Sequence, residues 1–168
     1  YRNTFRNLPE SLAELPDYLT DDMKDKGFTI VSTFIKSIIG NHDVIYFMII
    51  AAVCLLCVAY VYKKYSSNFF MSMFLFVASA DYIQWTYNGV RQFIAAAVLF
   101  AGIGLFLKKK YIPLIVLILL LSTIHASALI VLPFVFIVRG KPWNIKMSVF
   151  LCVVLFAMLF VNQFTDLI

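Results

Sequence analysis

VIYFMIIAAVCLLCVAYVYKK, residues 44–64, decides the fold. Every residue from Val44 to Tyr62 is apolar or aromatic, and Lys63-Lys64 close the run. A helix of that length rises about 28 Å, close to the roughly 30 Å of a bilayer's hydrocarbon. Working outward, the pattern recurs. A second span is expected over 69–87, a third over 89–107 closed by Lys108-Lys109-Lys110, and a last one over 147–164. Ala97 and Ala101 form a small-xxx-small pair on the third, suited to close helix packing. The apolar run Tyr111–Val138 has 28 residues. As one helix it would measure about 42 Å, longer than the membrane core. Ser122, Thr123, His125 and Ser127 interrupt its middle, so a break at 122–127 into two half-length helices that dip in and return is preferred to a single crossing.

Ahead of these spans the chain changes character. Residues 1–27 are polar and punctuated by Pro9, Pro16 and Gly27, with short helices expected at 10–14 and 17–26. Residues 28–40 carry Phe28, Ile30, Val31, Phe34, Ile35, Ile38 and Ile39 at spacings of three and four. That periodicity predicts an amphipathic helix too short to span, lying in the interface. The reading is an all-α polytopic membrane protein: an extracytoplasmic segment 1–43 ending in an interfacial helix, then a transmembrane helical bundle over 44–168. The chain opens at Tyr1, with no signal peptide, and is expected to be part of a longer polytopic protein.

Composition agrees. Of 168 residues, 62% are hydrophobic and 14% charged, against about half and a quarter in soluble domains. A disordered segment, a secreted disulfide scaffold and most soluble enzymes are excluded. Residues 1–43 hold five basic and seven acidic side chains; residues 44–168 hold nine and two. The later positives lie mostly in short loops, which marks membrane topology and no nucleic-acid surface. Lys63-Lys64 and Lys108–Lys110 are therefore expected to be cytoplasmic, with 1–43 and the 87–91 turn outside. Cys54, Cys57 and Cys152 lie in apolar runs and read as small buried hydrophobes.

Three features could carry chemistry. Asn88-Gly-Val-Arg91-Gln92 opens the third span, with Asn88 a candidate cap. A guanidinium in the first turn of a helix makes an anion site suited to phosphate or diphosphate; the alternative is an interfacial arginine reaching lipid head groups. His125, deep in an apolar run, needs a partner or water, and could bind a sugar hydroxyl, hold phosphate or move a proton. It could equally be a packing histidine. Ser127 shares its surroundings. Asp81 and Gln84 share a helix face, and Asp81 could pair with Arg91 across the turn. Asp17, Asp21, Asp22 and Asp25 offer carboxylates in the first segment, read chiefly as solvated charges. No D-x-D, G-x-S-x-G, H-E-x-x-H or P-loop motif is present.

Asn88-Gly-Val-Arg91-Gln92-Phe-Ile-Ala95, then Lys108-Lys-Lys110, then His125-Ala-Ser127-Ala128-Leu129 resembles the EpsG family of bacterial polysaccharide polymerases, related in role to Wzy. Lys26-Gly-Phe28 before an amphipathic helix also fits, and the resemblance covers roughly 26–138. It implies a glycosyltransferase-C-like, multi-pass protein of the bacterial cytoplasmic membrane. Such a protein joins repeat units carried on polyprenyl diphosphate at the outer side, in capsule, exopolysaccharide or O-antigen assembly. By the same implication Arg91 and His125 are catalytic, and Asn88, Gln92, Ser127 and Asp81 bind substrate. No metal or cofactor is called for. Membrane lipids and other polysaccharide-assembly proteins are the expected partners. The general base would lie in sequence outside this chain. The competing function is a non-enzymatic flippase or exporter component of the same pathway.

Overall fold

The computed structural model describes residues 1–20, 23–79, 89–137 and 144–159. Helices are the only regular elements among the described residues, which fall into two compact units, Tyr1–Leu129 and Ile130–Ile168.

The first unit is built on two apolar helices. Helix α4, Asp43–Tyr65, covers the apolar run 44–64. Helix α6, Val90–Ala101, continues through Gly102 into α7, Ile103–Leu107. Both α4 and the joined 90–107 stretch are long and apolar enough to cross a membrane, with mean hydropathies of 2.8 and 2.0. They pack along each other. The buried α4 side chains Cys54, Val58 and Val61 sit at i, i+4 and i+7, and small buried residues, Ala95 and Ala97, lie on α6. Small side chains let the two backbones approach closely. Only 22% of each span is buried. Val44, Met48, Leu56 and Tyr60 form an exposed apolar stripe on α4. Exposed apolar surface of this extent is costly in water and costs nothing in hydrocarbon. Helix α5, Phe69–Ala78, begins at Asn68, whose side chain accepts from Met71 N–H as an N-cap.

Helix α8, Tyr111–Ser122, stops inside the long apolar run. The amides of Thr123, Ile124 and His125 close tightly back onto Leu120 and Leu121 carbonyls, and a 3₁₀ turn, Ala126–Ile130, follows. At the other end of α6, Gly102 leaves the space occupied by a Leu117 methyl of α8; a Cβ there would collide with it. The second unit contains α9, Val131–Ile137, and α10, Ile145–Leu159, joined by an edge-to-face contact between Phe134 and Phe150.

The N-terminal segment is more ordered than its polarity suggested. Helix α1, Arg2–Arg6, a 3₁₀ turn, Leu12–Glu14, and α2, Leu15–Tyr18, precede α3, Lys26–Ile39. Among the described residues, the helix expected over 17–26 is not continuous: α2 ends at Tyr18, and Leu19 is extended. Phe5, Leu8 and Phe28 join Tyr46 and Val90 in one buried cluster, with Phe5 stacked on Tyr46 at 4.1 Å. The apolar side chains of α3 divide between two sides. Phe28, Ile35 and Ile39 pack inward, while Ile30, Phe34 and Ile38 form an outward stripe at i, i+4 and i+8. The inward side also holds Ser32, Thr33 and Lys36, all buried. Of the three cysteines, Cys54 is buried and Cys57 half-buried. Cys152 is exposed, because α10 turns that face outward.

Candidate functional site

Two helix ends meet and build the site. The first turn of α3 has free N–H groups, and the last turn of α8 has free carbonyls. Gly27 N–H donates to the Thr123 carbonyl at 2.8 Å, so each helix satisfies an orphan of the other. Glycine is required: a Cβ at position 27 would run into the Thr123 side chain and carbonyl carbon. This weld carries Asp25, two residues before Gly27, towards His125, two residues after Thr123.

Asp25 is the N-cap residue of α3, yet its side chain makes no capping bond. Its backbone is left-handed, with φ 59° and ψ 43°. Aspartate tolerates that region at a cost, and an aspartate at this position would ordinarily cap its own helix. Here the carboxylate reaches another helix. Arg91 Nη1 donates to Asp25 Oδ2 at 2.9 Å, and His125 Nδ1 lies 3.7 Å from the same oxygen. The first distance is a charge-assisted hydrogen bond; the second is too long to be one.

Arg91 stands in the first turn of α6, where the helix dipole already favours negative charge. The guanidinium lies against the Phe28 ring at 5.0 Å and near the Tyr1 ring at 5.8 Å, which holds it by cation–π attraction. Arg91 Nε and His125 Nδ1 are both buried and both lack a hydrogen-bond partner. Buried polar atoms are nearly always paired, so two orphans at one point mark a place with spare capacity to bind. The chemistry of the set suits an oxyanion: a guanidinium and an imidazole, each with a buried nitrogen left unpaired.

The structure brings Arg91 and His125 together and adds Asp25. The carboxylate read as a solvated charge is in fact largely buried, its side chain 14% exposed. It pairs with Arg91 because the Gly27–Thr123 weld holds it there. Gln92 is half-buried on α6 beside Arg91 and makes no side-chain hydrogen bond to a described residue. Ser127 is half-buried in the 3₁₀ turn after His125 and joins neither ion pair. Asp81, Gln84 and Asn88 lie outside the described residues. Among the described residues, the N-cap position of α6 is Gly89. Asp25 could have been found from the sequence on one signal, an acid two residues before the glycine that opens an amphipathic helix.

Fold and site together define a helical protein with two spanning-length apolar helices and a partly unpaired Asp25–Arg91–His125 cluster where three distant segments meet. Its sequence matches one family over residues 1–168, the EpsG family, and the chain belongs to that family. It is accordingly a membrane protein with a polysaccharide-polymerase type of role. No curated protein and no solved structure matches the chain.

Proposed function

We propose that the protein is a multi-pass glycosyltransferase of the bacterial cytoplasmic membrane that polymerises oligosaccharide repeat units carried on polyprenyl diphosphate. It acts at the outer side, where the acidic segment 1–43 and the Arg91 turn lie by the charge pattern of the loops. The observation that carries this reading is the convergence of Arg91 and His125 on one point with unpartnered buried nitrogens. Arg91 and the α6 N-terminus take the diphosphate. When the glycosyl–phosphate bond breaks, negative charge builds on the leaving oxygen, and a fixed guanidinium there lowers the barrier. His125 lies beside it for the reacting hydroxyl. Gln92, Ser127, Asn88 and Asp81 complete the substrate's surroundings, and a glycosyltransferase-C-like bundle holds them. Fixed cations can neutralise the leaving group, so this chemistry calls for no metal.

The test is complementation. Arg91→Ala, His125→Ala and Lys108→Ala in the full-length protein are expressed in a host lacking its gene, and surface glycan length is read on a gel at matched protein level. Single repeat units from the first two, with long chains from Lys108→Ala, are expected. Normal polymer from all three would leave Arg91 as a lipid-head-group anchor and His125 as a packing residue.

A further inference from the structure

Asp25 is the residue the polymerase reading leaves without work, and its placement is too specific to ignore. Its backbone is left-handed, its helix goes uncapped, and one carboxylate oxygen faces both Arg91 and His125. We infer that Asp25 is the positioning residue of a His125 general base, and that donor diphosphate switches it on by taking Arg91 away from Asp25. This rests on the polymerase reading and names the base that reading lacks.

The geometry assigns the roles. His125 Nδ1 is buried beside Asp25, while 32% of the side chain stays open, so Nε2 is the nitrogen an acceptor sugar can reach. In the resting protein the carboxylate is bonded to Arg91 and the imidazole waits at 3.7 Å. Phosphate oxygens arriving at Arg91 compete for the same N–H groups. A movement of about 1 Å then brings Asp25 into hydrogen-bond range of Nδ1. Such bonds are commonly loose before substrate binds. In the reacting state the acceptor hydroxyl oxygen bonds to the donor's anomeric carbon, and its proton passes to His125 Nε2. The bond from that carbon to the diphosphate breaks, and its electron pair stays on the phosphate oxygen held by Arg91. Asp25 accepts from Nδ1–H and stabilises the imidazolium, which later loses its proton to water. A carboxylate held against imidazole in this way fixes its tautomer and orientation. A base that is armed only when the donor is seated would protect against wasteful proton transfer.

The experiment uses the full-length protein in liposomes with polyprenyl-diphosphate-linked repeat unit prepared from the host's own pathway. Initial rates of bond formation are measured against donor concentration for wild type, Asp25→Asn, Asp25→Glu, His125→Gln and the Asp25→Asn/His125→Gln double variant. Asp25→Asn is expected to lower kcat about 10²–10⁴-fold, with donor KM unchanged or lower, because a competitor for Arg91 has lost its charge. Asp25→Glu should keep at least a tenth of kcat. The double variant should be no slower than His125→Gln alone, as for groups acting as one unit. An Asp25→Asn enzyme with normal kcat and a tenfold higher KM would overturn the inference: Asp25 would then only hold Arg91 in place. So would additive losses in the double variant, or a folded Asp25→Glu protein below a hundredth of wild type. Should Asp25→Asn fail to fold, the Glu variant decides by that same threshold. Wild-type liposomes that form no glycosidic bond would overturn the polymerase reading itself, and this inference with it.

Discussion

The first unit holds two ionic clusters, one at each end of the inward side of α3, and they differ in one respect. At Lys36 every strong group is matched. Its ammonium donates to the Arg6 and Leu8 carbonyls at 2.7 and 2.6 Å, and it is 2% exposed. Nearby, Asp43 in the first turn of α4 accepts from Arg6 Nη2 at 2.8 Å and is ion-paired with Arg2 Nε at 2.9 Å. At Arg91 the groups are as charged and nearly as enclosed, yet Arg91 Nε and His125 Nδ1 have no partner. A saturated buried network rigidifies. An unsaturated one costs stability and persists where something else binds. The Lys36 cluster thus clamps the N-terminal segment onto α3 and α4, while the Arg91 cluster keeps two buried nitrogens unpaired, which the proposed function assigns to the substrate.

Variants can break that comparison, and the largest effect falls on the open cluster. Arg91→Gln should reduce polymer formation about 10³-fold, the loss seen when one stabiliser of a developing oxyanion is removed. Its melting temperature in detergent should stay within a few degrees of wild type. Lys36→Met should do the reverse. The stem is kept, but two buried carbonyls lose their donor, for about 3 kcal/mol of stability. Thermal melting and protease cleavage before Lys24 report it, while the rate per folded molecule is unchanged at low temperature.

Gly27→Ala should move both readouts. The added Cβ strikes Thr123, at about 1–3 kcal/mol, and loosens the weld that sets Asp25 against His125. A partial loss of rate together with a lower melting temperature is expected. The smallest effect sharpens the rule about orphans. Thr33 Oγ1, on α3, is a third buried polar atom without a partner among the described residues, and the structure gives it no ligand-binding role. Thr33→Val should therefore raise stability by about 1 kcal/mol and leave the rate alone. A loss of activity there would show that an unpaired buried donor does not by itself distinguish the two clusters.

Much of the architecture was legible in the chain. The runs now seen as α4 and as α6 with α7 announce themselves by length and by their closing lysines, because lipid imposes a simple rule on sequence. Arg91 and His125 stood out for the same reason, as charge or polarity where none is cheap. What was hidden depends on contacts between distant segments. Nothing near Asp25 reveals that Thr123, almost a hundred residues later, receives the amide of Gly27 and swings that carboxylate to Arg91. The inward set Ser32, Thr33 and Lys36 on α3 was likewise invisible, since periodicity shows where apolar residues recur and not which side a neighbour covers. The helix at Arg2–Arg6 is too short to be read from propensity and is held by Phe5 stacking on Tyr46.

The central claim is that charge at Arg91 serves chemistry while charge at Lys36 serves the fold. The direct measurement compares Arg91→Gln with Lys36→Met as purified full-length proteins in liposomes carrying polyprenyl-diphosphate-linked repeat units. Rates are normalised to folded protein, and melting is followed on the same samples. Less than one hundredth of the wild-type rate with normal melting is expected for Arg91→Gln, and the wild-type rate with clearly lowered melting for Lys36→Met. Equal losses of rate and of stability in both proteins would contradict the claim, for the two clusters would then be one structural network.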